Sequence, residues 1–277
     1  MLGRTLVSEL ADDFEVIATD LPEADITDEK SVEAAVIMHA PDAVIHCAAM
    51  TAVDRCESER ELAFRLNETG TANVATVCRR HGIRLIAIST DYVFDGDADS
   101  PYSESDIPTG GHTVYGQSKF AGEEAVRKLC PDHVIARISW LYGSGGPSFV
   151  HAMMSLADGS HPVLKVVADQ HGNPTSTIAV ARALREVLKR PELRGTFHLT
   201  CEGEATWAEL AEEIFRLLEI DQKVQPCTTD EFPRPAPRPK NSRLEKAALR
   251  LAGLPPMPDW KDALAEFMEA EFPRKVR

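Results

Sequence analysis

The sequence predicts an α/β fold: a doubly wound, Rossmann-like parallel sheet with a smaller C-terminal substrate lobe. Three observations carry this expectation. Through the first two-thirds of the chain, short β-branched runs alternate with amphipathic helical stretches, the pattern of βα units that feed a parallel sheet. The runs are almost continuously apolar, as strands covered on both faces must be. The 277 residues also exceed what one small domain needs and suit a large domain with a second lobe. Residues 1–145 are expected to form a dinucleotide-binding domain whose first strand is missing. Residues 146–277 are expected to build mainly the substrate lobe, with segments returning to the sheet.

In chain order, strands are expected at 15–19, 43–46, 84–89 and 134–139, and helical spacing of apolar residues predicts helices at 31–40, 59–67, 69–81 and 115–129. Beyond Trp140 the pattern loosens into a glycine cluster at 143–146, a short apolar run at 163–167 and helices at 178–189 and 206–218. The proline-rich stretch 232–239 predicts an extended loop, because each proline fixes φ and removes a donor.

A dinucleotide fold normally opens with an apolar strand and a glycine-rich turn that brings a pyrophosphate to a helix N-terminus. Here residues 6–10 already read as the rest of the first helix. Met1-Leu2-Gly3 occupies the end of the glycine turn, and Asp20 closes the next strand at the spacing of a ribose-binding acid. Because the first strand is central, its loss would expose an edge on both neighbours. The expectation is a natural start about ten residues earlier, with Met1 an internal methionine. A chain starting at Met1 should bind its cofactor weakly.

A formal net charge of -14 excludes the continuous basic stripe by which proteins track nucleic-acid phosphates. The six cysteines form no paired motif and the histidines lack ligand spacing, so reduced thiols and no metal are expected. No apolar run approaches the roughly 18 residues of a membrane span, and the start MLGRTLVSEL lacks a signal core. These features predict a cytoplasmic protein with no membrane partner, and leave a homodimer open.

The strongest chemical signal is Tyr115-Gly-Gln-Ser-Lys119, whose i, i+4 spacing sets both side chains on one helix face. Carbonyl reduction by hydride needs a proton donor at the oxygen, and a phenol near pKa 10 gives its proton up poorly at neutral pH. An adjacent ammonium would lower that pKa and could hold a cofactor ribose. Upstream, the strand at 84–89 runs into Ser89-Thr-Asp-Tyr-Val-Phe-Asp-Gly96, at the carboxyl end where open α/β sheets bind ligands. Thr90 is thus placed to hydrogen-bond the same carbonyl oxygen. Asp20 would accept both ribose hydroxyls of NADH and repel the 2′-phosphate of NADPH.

Together with Pro41-Asp-Ala-Val-Ile-His-Cys-Ala-Ala-Met-Thr-Ala-Val-Asp54, Arg137-Ile-Ser-Trp140-Leu-Tyr-Gly143, Asp169-Gln-His-Gly-Asn-Pro-Thr175 and Arg238-Pro-Lys-Asn-Ser242, these runs resemble the successive motifs of the dTDP-4-dehydrorhamnose reductase family, within the extended short-chain dehydrogenase/reductase type. They fall in order over nearly the whole chain. The resemblance implies NADPH or NADH as cofactor and a nucleotide-linked 6-deoxyhexose as substrate, reduced at its 4-keto group. It also implies Tyr115 as proton donor with Lys119 and Thr90 completing a triad. Gly3, Asp20, Asp25, Ile26, Ala49, Met50 and Thr51 would line the cofactor beside Tyr115 and Lys119, and Thr90, Asp91 and Trp140 would face the sugar nucleotide.

Two departures from the family pattern stand out: the missing glycine turn, and Pro108-Thr-Gly-Gly-His-Thr-Val before Tyr115 in place of the usual Pro-x-Asn-x. The three cations within 234–240 suit a diphosphate as well as a solvated loop or dimer contact. Several motifs are shared with a non-catalytic relative, the regulatory β subunit of methionine adenosyltransferase, so an NADP-binding regulatory subunit is the alternative expectation.

Overall fold

A computed structural model describes residues 1–157 and 160–272. In chain order the first elements are α1 (Leu2–Leu10), α2 (Glu29–His39), β1 (Ala43–His46), α3 (Val53–Ser58), α4 (Arg60–Phe64), a π turn (Arg65–Gly70), α5 (Thr71–His81), β2 (Arg84–Thr90), α6 (Val114–Leu129) and β3 (His133–Ile138). They are followed by β4 (Leu141–Tyr142), α7 (Phe149–Leu156), β5 (Val163–Val167), β6 (His171–Gly172), β7 (Thr175–Ser176), α8 (Thr177–Leu188), β8 (Gly195–His198), β9 (Ala205–Thr206), α9 (Trp207–Leu217), β10 (Lys223–Cys227), β11 (Asn241–Ser242), α10 (Ala247–Leu251) and α11 (Trp260–Glu271).

The main sheet has the order β1-β2-β3-β8, parallel throughout. Strand alternation sorts its apolar residues to two faces. Leu85, Ala87 and Ile135 pack with Val32, Val36, Val74 and Val126 from α2, α5 and α6. Ile86, Val134, Ala136 and Ile138 pack with Leu2, Leu6 and Leu10 of α1 and Val180 and Leu184 of α8. Both faces are therefore covered, which is why the strands read as unbroken apolar runs.

Two expectations differ from the observed sheet. Residues 15–19 form no strand: among the described residues β1 pairs only with β2, so the extended 15–19 segment has no ladder to join, and a strand exists only through its inter-strand bonds. Val16 packs against the core while Ile17 stays exposed. Conversely, β8 joins β3 through Ala136↔Phe197, although Gly-Thr-Phe-His offers too little apolar pattern to announce a strand. The helices expected at 59–67 and 69–81 are one continuous rod, α4 passing through the π turn into α5. The segment 232–239 contains neither helix nor strand.

The smaller elements pair as β5 with β10, β6 with β9 and β11, and β4 with β7. Among the described residues no helix is long and apolar enough to cross a membrane.

Candidate active site

The site forms where the carboxyl end of β2 meets the first two turns of α6. Thr113 caps α6 through a bond from Gly116 N to its side chain, satisfying one of the free amides of the first turn. That turn lies directly on the backbone after β2: a Cβ at Gly116 or at Gly111, which has φ +62°, would fall on the Tyr92 carbonyl oxygen. The glycine-rich approach to Tyr115 is thus a close-contact device. Gly110 N also donates to Val93 O at 2.8 Å.

Tyr115 is buried, its ring set edge-on to Tyr92 at 5.4 Å. Burial raises its phenol well above the ordinary value, opposed first by a hydrogen bond with Thr90. The net direction is opposite to the lowering expected from an adjacent ammonium: desolvation of the phenolate dominates, and the influence that opposes it comes from Thr90 rather than Lys119. Lys119 Nζ donates to Ile88 O at 2.8 Å. Burial lowers its ammonium to about 8, with Glu123 acting in the other direction. Thr90 Oγ1 accepts from Tyr92 N at 3.3 Å and donates to Asp91 Oδ1 at 2.9 Å. Burial pushes Asp91 up to about 6 against hydrogen bonds with Ser242 and Thr90. Tyr115, Thr90 and Asp91 therefore share one buried cluster, with the buried Lys119 one turn further along α6 and bonded to the strand at Ile88.

On the side expected to take a cofactor, Ala49, Met50 and Thr51 follow the carboxyl end of β1. Met50 is buried, Ala49 half-buried and Thr51 exposed. Asn67, fully buried in the π turn, accepts from Met50 N at 2.8 Å and donates to Met50 O and to Ser118 Oγ at 3.0 Å. Ser118 Oγ in turn donates to Tyr115 O at 2.8 Å. One amide thus ties the 49–51 turn to the helix that carries Tyr115. No motif spacing points to Asn67; an Asn inside an apolar helical run was the signal available.

Asp25 accepts from Thr27 N and Thr27 Oγ1, both at 2.8 Å, and these bonds hold its carboxyl below the usual range. Ile26 packs against Gly70, and its carbonyl accepts from Asn73 Nδ2 at 2.9 Å. Asp20 is exposed and accepts from Leu21 N at 2.8 Å. Gly3 is exposed in the first turn of α1. Among the described residues, no hydrogen bond links Asp20 or Gly3 to the Tyr115 cluster. The set nevertheless fits a nicotinamide dinucleotide chemically: an exposed carboxylate for sugar hydroxyls, a backbone turn fixed by Asn67, and a buried ammonium one helical turn from a phenol.

Trp140 lies just past β3 with φ 46°, and its ring stacks on Trp207 at 3.5 Å and 7°. Gly172 packs flat on the Trp140 ring, where a Cβ would collide. Trp207 Nε1 donates to Gln170 Oε1 at 3.0 Å. Trp207 carries no sequence signal for this contact, since an aromatic opening a helix is ordinary core.

The proline-rich segment approaches from the other side. Arg238 Nη2 lies 2.9 Å and Arg234 Nε 3.6 Å from the Asp54 carboxylate, which also accepts from Ala236 N at 3.1 Å. Arg238 borders a cavity of about 170 Å³ with Tyr92, Phe94, His112, Thr113 and Pro237.

Comparison with known proteins agrees in every direction. A family model described as the RmlD substrate binding domain matches residues 1–272. A dTDP-4-dehydrorhamnose reductase of Streptomyces griseus is 45% identical over 279 aligned positions, covering 98% of this chain and 90% of that protein. The crystal structure of a dTDP-4-dehydrorhamnose reductase from Clostridium acetobutylicum superposes with a TM-score of 0.93 at 44% identity, covering 98% of this chain and 95% of that one. Another from Bacillus anthracis, solved in complex with NADP, gives 0.94 at 38% identity, covering 97% and 95%.

Proposed function

Since the chain belongs to the RmlD substrate binding domain family, we propose that it is an NAD(P)H-dependent reductase of the 4-keto group of dTDP-4-dehydrorhamnose, with Tyr115 as general acid. The observation that carries the reading is the convergence of Tyr115, Thr90 and Lys119 between β2 and α6. The catalytic use of these residues follows from their chemistry.

When bound, the nicotinamide supplies the hydride that turns the ketone carbon into a secondary alkoxide carbon. The rest falls to the chain. The alkoxide oxygen takes the Tyr115 proton, so one O–H bond forms as the phenol's breaks. A phenol raised by burial stays protonated at neutral pH and still yields to an alkoxide, which is far more basic. The phenolate left behind would be stabilised by the Lys119 ammonium one helical turn away, and by the Thr90 hydroxyl when Asp91 is protonated and frees its proton. Asp20, Asp25, Ile26 and the 49–51 turn would hold the cofactor, with Gly3 beside its pyrophosphate. Trp140 and Asp91 would bound the sugar. Binding energy from the remote nucleotide would hold the reacting carbon in place.

The test is the loss of NAD(P)H absorbance with dTDP-4-dehydrorhamnose, with the sugar product identified. Stoichiometric consumption with formation of the 4-hydroxy sugar supports the reading and separates it from epimerisation, which regenerates its cofactor. Absence of turnover, together with tight retention of a partner enzyme during purification, would instead establish the regulatory-subunit alternative.

A further inference from the structure

The run Asp169-Gln-His-Gly-Asn-Pro-Thr175 has no part in the proposed reaction. In the fold it converges on one side chain, Trp140. Thr175 N donates to the Trp140 carbonyl at 3.2 Å, and Ser139 Oγ donates to Asn173 O at 3.3 Å. These bonds pin the backbone where Trp140 takes its left-handed φ of 46°, a region that a bulky residue enters only when its surroundings hold it there.

The ring is covered on both faces. A Cβ at Gly172 would sit 2.4–2.8 Å from Cε2, Nε1 and Cδ2 of Trp140. That point lies above the indole plane, because Cε2 and Cδ2 are the fusion atoms of the two rings and have no outer edge. The Trp207 ring stacks at 3.5 Å and 7°, too close for Gly172 to fit between, so Trp207 holds the opposite face. Trp207 is anchored in turn. Its Nε1 donates to Gln170 Oε1 at 3.0 Å, Gln170 Nε2 donates to Thr229 Oγ1 at 2.9 Å, and Thr229 Oγ1 donates to Asp169 Oδ1 at 2.7 Å.

A sugar therefore has no open face of Trp140 to stack on, and the edge remains. Trp140 is half-buried, and among the described residues no hydrogen bond uses its indole N–H, a group that can only donate. Ile138, two residues earlier, pairs in register with Thr90, so Trp140 leaves the sheet at the same edge as the Thr90 hydroxyl. We propose that Trp207 is a positioning residue for the substrate: with Gly172 it clamps Trp140 by both faces, so that the indole N–H, and not the ring, takes hold of a sugar oxygen. The inference rests on the reading that Trp140 bounds the sugar.

The chain has three tryptophans, and the 15N-indole resonance of Trp140 is assigned by its loss in Trp140→Phe. Saturation with dTDP-rhamnose, the reduced sugar nucleotide, should move that resonance downfield as the hydrogen bond forms; dTDP alone should not. Trp207→Phe keeps an aromatic wall and should keep the shift, whereas Trp207→Leu should lose it. In Trp207→Leu and in Trp140→Phe, KM for the sugar nucleotide should rise about 3–10-fold, the usual worth of one neutral hydrogen bond, with the Kd of NAD(P)H unchanged. A stacking platform would instead survive Trp140→Phe, and a pair that only filled the core would not split the two ligands.

Binding of dTDP-rhamnose that leaves the Trp140 resonance in place overturns the inference while the reductase reading stands. An equal shift with dTDP overturns it by giving the acceptor to the diphosphate, and a shift retained in Trp207→Leu overturns the role of Trp207. Should Trp207→Leu not fold, Gln170→Leu, which frees Trp207 from its anchor, takes its place with the same two outcomes. Failure of the protein to bind the sugar nucleotide at all removes both readings.

Discussion

The Thr90 hydroxyl donates to Asp91 Oδ1 across 2.9 Å. A threonine has one proton to give, so while Asp91 is ionised that proton is committed and Thr90 meets the phenol only as an acceptor. When Asp91 is protonated the direction can reverse, leaving the Thr90 proton for the phenolate or the ketone oxygen. Since Asp91 sits at about 6, kcat/KM should change slope near pH 6. Asp91→Asn should remove that break. A break that persists in the variant would assign it elsewhere.

The same group makes a stability prediction. Its folded pKa is raised from 3.8 to about 6, so the unfolded chain releases this proton first. Stability is highest below the unfolded value and falls as pH climbs through the folded one. Chemical denaturation from pH 4 to 7 should show the wild type losing stability relative to Asp91→Asn as pH rises, against the opposite trend that both proteins share from the buried His46 and His198, whose imidazoles are lowered to about 3.

Asn67 tests whether the cofactor turn and the catalytic helix are joined. Asn67→Ala strands Met50 N, which has lost its acceptor in a buried setting. A loss of about 1–3 kcal/mol is expected for an unsatisfied buried group, read from urea denaturation. KM for NAD(P)H should rise more than KM for the sugar nucleotide. Equal effects on both would argue against the linkage.

Gly116 separates local propensity from tertiary contact. In an exposed helix, Gly→Ala stabilises by about 1 kcal/mol. Here the added methyl meets the Tyr92 carbonyl, so Gly116→Ala should instead destabilise by about 1–3 kcal/mol and lower activity by displacing Tyr115. Thermal melting decides the sign.

These cases also show what the chain discloses without its fold. The parallel sheet was legible because Leu85, Ile86, Ala87, Val134 and Ile135 are buried on both sides and leave an unbroken apolar signature. Tyr115 and Lys119 were legible because helical spacing alone brings them together. The buried ion pair of Glu123 and Arg137 was not, since an acid on a helix and a base on a strand look solvated until the sheet stacks one upon the other. Asn67 was hidden because its partners, Met50 and Ser118, lie 17 and 51 residues away. Residues 15–19 misled because apolar character marks a strand only where a neighbour completes its ladder.

Proton transfer from Tyr115 to the reduced ketone is read from kcat of Tyr115→Phe for NAD(P)H oxidation with dTDP-4-dehydrorhamnose, after circular dichroism has shown the variant folded. A fall of about 10²–10⁴-fold is expected, the usual worth of a positioned general acid, with KM for both substrates close to wild type. A kcat within about twofold of wild type would contradict it, because an interaction made in the transition state must appear in kcat.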